Sequence, residues 1–258
     1  MTAARQVRAI AGLTLLEALR GSLLWLVALI LLAGLGLAEL LGALAITETR
    51  QTQAAILGAV LRLAAVLVTS LFVITSVVRE QNDKVLELYL SLPLPRAAYY
   101  LGKLAGFAAC AGVAAALLGA LLLVYAPPVQ VLLWTLSLFA ELLVVVAASL
   151  LALFTFSQVT VALSVVLAFY FLARGMGAIQ LMSQGPLVDP GALSSRVIAG
   201  LVDGIAFLLP DLYRFTPSEW LAYGTGSVAD LGPVLAQTAV YVTLLAGAAL
   251  FDLYRKNF

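Results

Sequence analysis

The sequence predicts an all-α integral membrane protein: six transmembrane helices, an interfacial helix before the first, a short cytoplasmic helix between the second and third, and re-entrant outer helices before the last. Three observations lead there. Hydrophobic residues make up 64% of the 258 and charged ones 10%, against roughly 45–50% and about 25% in soluble domains, and the mean hydropathy is +1.11. Asp, Glu, Lys and Arg are absent from residues 21–38, 63–78, 104–140, 142–173 and 231–251, windows that reach or approach the roughly 20 apolar residues of a helical span. The alternating polarity over about 10 residues that marks outer-membrane strands is missing.

Taken in order, residues 5–20 carry Val7, Ile10, Leu13 and Leu16 (or Thr14) at helical spacing, with Arg5, Arg8 and Glu17 elsewhere on the wheel. This is the pattern of an amphipathic helix lying in the membrane interface; the alternative is a polar extension of the first span. A cleaved signal peptide is not expected, because Glu17 and Arg20 interrupt the apolar segment and the next run is far too long. Spans are expected at about 22–46, 56–78, 103–125, 129–155, 158–181 and 233–251. Only Thr155, Ser157, Gln158 and Thr160 punctuate the fourth and fifth, which read either as a tight antiparallel hairpin or as one broken span. Gly112, Ala116 and Gly119–Ala120 in the third permit close helix packing.

Positive charge sets the orientation. With a cytoplasmic N-terminus, the inside set is Arg5, Arg8, Arg20, Arg79, Lys84, Arg96, Lys103, Arg255 and Lys256, and the outside set is Arg50, Arg174, Arg196 and Arg214, with Arg62 inside a span. Both termini are therefore expected in the cytoplasm. Composition also removes chemistry. Without histidine there is no imidazole base or His-ligated zinc, and the single Cys110 allows no intrachain disulfide or cysteine metal cluster. A net charge of +1 offers no electrostatic footprint for nucleic acid. No catalytic or metal-binding residue is expected.

The loop after the second span runs from Arg79 to Arg96. Asn82 or Asp83 can cap a short helix there and Pro93 would stop it beyond Leu92. Val85, Leu88 or Tyr89, and Leu92 share a face, with Lys84 and Glu87 elsewhere. Such an element suits a groove on a cytoplasmic partner; an ordinary interfacial loop is the alternative. Glu80, followed by Glu87, Leu90, Pro93, Arg96, Tyr100, Gly102 and Lys103, resembles the pattern of ABC-2 type transporter permeases.

That resemblance implies a single transmembrane domain over 1–258 of the ABC-2, or type V exporter, kind. Residues 5–20 would be its connecting helix and 83–92 its coupling helix, docking through Glu80, Asp83, Val85, Glu87, Leu88, Tyr89, Leu92, Pro93 and Arg96. It further implies a separate ABC ATPase subunit that binds ATP and magnesium, a second permease copy in a two-plus-two assembly, and a bacterial-type cytoplasmic membrane. This chain carries no G-x-x-x-x-G-K-[ST], since Gly102-Lys103 lacks both the upstream Gly and the Ser/Thr.

Between the fifth and last spans lies a long outer segment, 182–232. The run from Val197 to Leu209, ending at Pro210, is apolar enough to enter the bilayer and too short to cross it. Thr216 as N-cap and Pro217 at the first helical position would begin a second piece carrying Glu219, Trp220 and Tyr223. Re-entrant helices capping the outer mouth are what ABC-2 exporters resemble here, with Phe207, Pro210, Trp220 and Tyr223 as an outer gate. A small folded external loop is the alternative.

Charges within the spans complete the reading. Glu39 and Arg62 each lie about 6 or 7 residues, roughly 10 Å, from the outer end of consecutive antiparallel helices, and are expected to pair, since either alone in lipid is costly. A substrate path or a snorkelling Arg62 is the alternative. Glu141 lies roughly 18 Å from the start of the fourth span with no basic residue expected at its depth; it is expected protonated, or bonded to Ser137, Ser149 or a neighbouring chain. Arg174 reads as an interface anchor. The leading function is an ABC exporter permease. The competing ones are a proton-coupled secondary carrier using Glu141 and a non-transporting membrane scaffold or membrane enzyme.

Overall fold

The computed structural model describes residues 3–44, 49–83, 95–156, 158–183 and 193–255. Those residues are helical apart from short turns. The helices are α1 (Ala3–Arg20), α2 (Ser22–Leu44), α3 (Thr49–Asn82), α4 (Arg96–Leu122), α5 (Pro128–Thr155), α6 (Val159–Ser183), α7 (Leu193–Leu208), α8 (Ser218–Tyr223) and α9 (Val228–Arg255), with a 3-10 turn at Leu212–Arg214. Six of them, α2 to α6 and α9, are long and apolar enough to cross a membrane.

Among the described residues the six spans lie close to the expected ones, but several run further. α3 reaches from Thr49 to Asn82, about 50 Å, because neither Thr49–Gln53 nor Arg79–Asn82 contains a Gly or Pro to stop it. α4 starts at Arg96, straight after the extended Pro95, rather than at 103. Pro128 opens α5 where a missing N–H costs nothing. α9 begins at Val228, not 233, and the Asp230 carboxylate accepts from the Ser227 N–H at 2.9 Å and hydroxyl at 2.8 Å, the reciprocal half of a capping box.

Between α5 and α6 the chain folds back as an antiparallel hairpin. The Tyr170 hydroxyl donates to Glu141 at 2.9 Å, and the two residues stand at comparable distances before and after the break at 156–158. α5 is the axis of the bundle, 78% of its apolar window being buried against 22% for α2 and 17% for α9. It packs on α3, α4, α6 and α9, while α1 lies on α4, α2 on α3 and α7 on α6. Trp134, Leu138, Leu142, Val146, Leu150 and Leu153 are fully buried along it.

The face by which α1 docks differs from the expected stripe. Ile10, Thr14 and Ala18 are buried, while Leu13 and Leu16 are about half exposed. The reason is the floor they meet. Gly102 and Gly106 of α4 let the two backbones approach, as small residues four apart do in membrane helices. A Cβ at Gly102 would stand 2.7 Å from Ile10 Cβ, and one at Gly106 would stand 2.6 Å from Thr14 Cβ. Gly106→Val is expected to lower stability by about 1–3 kcal/mol, whereas Gly36→Ala, in open space, is neutral or gains up to about 1 kcal/mol. Thermal unfolding of the two variants in detergent checks this, and equal losses would contradict the packing described.

Candidate functional site

Polar side chains gather at two places. The first is the end of the bundle where α3 stops and α4 starts. Lys103, only 3% exposed, is ion-paired and hydrogen-bonded to the Glu80 carboxylate. The Tyr99 hydroxyl donates to the other Glu80 oxygen at 3.0 Å. Lys103 also sits 5.6 Å from the centre of the Phe107 ring, a cation–π arrangement. One turn further along α3 from this pair, Ser76 donates to Glu17 of α1 at 2.9 Å. Arg96 donates to the carbonyls of Leu253 and Tyr254 at 2.9 and 3.3 Å, placing a cation on the negative end of α9.

Glu80 and Arg96 therefore fasten α3 to α4 and α4 to α9 within the chain. Asp83 is exposed and its N–H closes the last turn of α3 on Arg79 at 2.9 Å. Val85, Glu87, Leu88, Tyr89, Leu92 and Pro93 lie outside the described residues, as does nearly all of the expected helix 83–92.

The second place is the middle of the bundle. The segment from Pro210 to Pro217 descends from the α6–α9 end between α3, α5 and α6, and Phe215 and Thr216 are completely buried. Thr216 is the keystone. Its N–H donates to the Ser137 hydroxyl at 3.0 Å, its own hydroxyl donates to Glu141 at 2.9 Å, and its carbonyl accepts from Arg62 at 3.1 Å. The backbone there has φ of 47°, a left-handed conformation that a β-branched residue rarely adopts. Such strain, of order 1–3 kcal/mol, persists only when surrounding contacts over-determine it.

Arg174 completes the arrangement. It donates to the carbonyls of Leu212 and Phe215 at 2.5 and 2.7 Å and stands 3.6 Å from the Glu141 carboxylate. Above it, Gln130 holds the turn after α8, donating to the carbonyls of Gly224 and Gly226 at 3.0 and 3.1 Å and accepting from the Gly226 N–H at 3.1 Å. Gly224, with φ of 67°, ends α8 in the left-handed form that suits glycine. Over this floor opens a cavity of about 500 Å³ lined by Arg62, Arg174, Tyr213, Arg214, Trp220 and Asp230 among others.

Several expectations are corrected. Glu39 is exposed on α2 and no ion pair joins it to Arg62 among the described residues; equal depth on neighbouring helices did not bring equal azimuth, and Arg62 turns to Thr216. Glu141 does have a basic neighbour, Arg174, which is therefore no interface anchor. Ser137 meets Thr216 rather than Glu141, and the buried Ser149 hydroxyl has no hydrogen-bond partner among the described residues. Thr216 does not cap α8, because its hydroxyl is taken by Glu141; Pro217 precedes the helix instead. The four gate residues do not form one cluster. Phe207, 91% exposed, and the buried Pro210 line a second cavity, Trp220 is buried on the first, and Tyr223 points out at 68% exposure.

Sequence reasoning missed Thr216, Tyr170, Arg174 and Gln130 as a group. A charged residue inside a span was the available signal. Removing the central acceptor should release the segment: Glu141→Leu strands the Thr216 and Tyr170 hydroxyls and Arg174, at a cost of about 3–5 kcal/mol. In a Phe215→Cys background, a membrane-impermeant maleimide is expected to label the Glu141→Leu protein and spare the parent. Equal labelling of both would contradict the docking.

The model of the ABC-2 family transporter protein matches residues 43–251, from the end of α2 into α9 and through both polar clusters. No curated protein matches the chain. Six membrane-length helices, an all-helical architecture and a family match over most of the sequence lead to one conclusion: this chain is a multi-pass membrane protein of the ABC-2 family, a transport permease rather than a catalyst.

Proposed function

We propose that this chain is one permease subunit of an ATP-driven ABC exporter, contributing half of the transmembrane pathway and coupled to a separate ATPase that binds ATP and magnesium. Two copies would pair with two ATPases in a bacterial-type cytoplasmic membrane, with both termini and the α3–α4 end in the cytoplasm. The excess of Lys and Arg at that end supports the orientation.

The observation that carries the reading is how the described residues flanking 84–94 are fastened. On one side Glu80 is locked to Lys103 and Tyr99; on the other Arg96 is locked to the end of α9. A push on this segment would thus reach α3, α4 and α9 together, and α4 and α9 both bear on α5. Force applied at one end would arrive at the helix that carries Glu141 and Ser137, the residues holding the Thr216 segment in the middle of the bundle. ATP-driven closure of the ATPases would then shift the permease between two arrangements, by differential contact rather than by chemistry on the cargo.

Co-expression with candidate ABC ATPase subunits from the same genome tests the reading. The ATPase is expected to co-purify with the wild-type chain, and Leu88→Arg with Leu92→Arg is expected to reduce its recovery about tenfold, the effect of about 1.4 kcal/mol of lost affinity. Undiminished recovery with the double variant would remove 83–92 as the docking helix. Transport that persists without any ATPase and stops in Glu141→Gln would replace the proposal with a proton-coupled carrier.

A further inference from the structure

The cavity above Thr216 is charged unevenly with depth. Its floor carries the part-buried guanidinium groups of Arg62 and Arg174. Beside them the buried carboxylate is Glu141, whose oxygens already accept from Tyr170 and Thr216 and whose ion pair is with Arg174. Two part-buried cations therefore face one buried anion, and a charge drawn partly out of water without a matching counter-charge is unfavourable. The other acids lining the cavity, Glu219 and Asp230, are exposed, and Asp230 is engaged by Ser227.

Arg62 also retains an unspent donor. Its Nη1 serves the Thr216 carbonyl, but its Nε is buried without a hydrogen-bond partner among the described residues. At the mouth stands a third guanidinium, Arg214, 67% exposed and paired through Nε to Asp211 at 2.7 Å. Trp220, Tyr213, Pro217 and Pro233 supply apolar wall between these donors. The volume, about 500 Å³, falls within the roughly 300–1,000 Å³ of small-molecule sites.

We infer that this cavity binds an oxyanion, a phosphate or carboxylate group, held between Arg62, Arg174 and Arg214, with the apolar part of its carrier against Trp220. Guanidinium forks match such groups in geometry as well as charge. An oxyanion at the floor supplies the missing negative charge and an acceptor for Arg62 Nε. The same chemistry comes from an anionic phospholipid headgroup or from a soluble phosphate ester, and binding of either is independent of what drives transport.

The test uses the full chain purified in neutral detergent. One arm adds mixed micelles of phosphatidylglycerol or phosphatidylcholine and counts retained lipid by native mass spectrometry; the other adds inorganic phosphate, with chloride at equal ionic strength as the control, and follows thermal unfolding. Preferential retention of phosphatidylglycerol supports a lipid source, and stabilisation by phosphate over chloride supports a soluble one. Ser218→Glu, which sets an acid on the cavity wall in the first turn of α8 where acids are favoured, is expected to weaken whichever is seen about tenfold. Arg214→Gln, at an exposed side chain, is the second variant, with a several-fold loss expected even should Ser218→Glu fail to fold. Equal retention of the two lipids with no phosphate effect, or wild-type binding by both variants, overturns the assignment.

Discussion

Thr216 ties two helices, α3 and α5, together through its three polar groups, and much of the molecule follows from that. Non-helical backbone at membrane depth is tolerated only when protein satisfies it. Here Ser137 and Glu141 of α5 take the Thr216 N–H and hydroxyl, Arg62 of α3 takes its carbonyl, and Arg174 of α6 takes the carbonyls of Leu212 and Phe215. The left-handed backbone at Thr216 is what this fastening costs locally. In return the segment joins α3, α5 and α6 without help from a hydrophobic driving force, which is weak between helices in lipid. The position of α8 against α3, the Gln130 clip on the turn after it, and the cavity that α8 lines are consequences.

The opposite end is organised by the same rule with different chemistry. Lys103 is nearly inaccessible, so its charge requires Glu80, and Tyr99 satisfies the remaining carboxylate oxygen. Arg96 neutralises the C-terminal dipole of α9. A buried ion pair is weak evidence for stability and better evidence for register. These two set where α3, α4 and α9 meet. α5 touches both α4 and α9, and α3 carries residues of both polar clusters, Glu80 in the first and Arg62 in the second.

Much of this was legible in the sequence, for reasons particular residues make plain. Gaps between charges located six spans because a charge in lipid is expensive, and the string from Glu80 to Lys103 led to the family that the match over 43–251 shows. Helix ends were less legible, since polar stretches such as Arg79–Asn82 continue a helix that no Pro or Gly stops. The central site was legible as single residues, not as a constellation. Glu141 stood out by depth, but its partner Arg174 was placed near the outer end, and the loop carbonyls that draw it inward are invisible to periodicity. Glu39 and Arg62 show the converse. Depth along a helix can be counted, but the direction a side chain faces around it depends on neighbours that only the assembled bundle supplies.

The Thr216–Glu141 contact holds the central segment in place, and a double-mutant cycle measures it. Unfolding free energies of wild type, Thr216→Val, Glu141→Gln and the double variant, taken in one detergent, give the coupling between the two side chains. Direct contact in a buried network predicts a coupling of about 1 kcal/mol or more. Additive effects, within the roughly 0.3–0.5 kcal/mol typical of independent sites, would mean that the segment is not anchored where the structure places it.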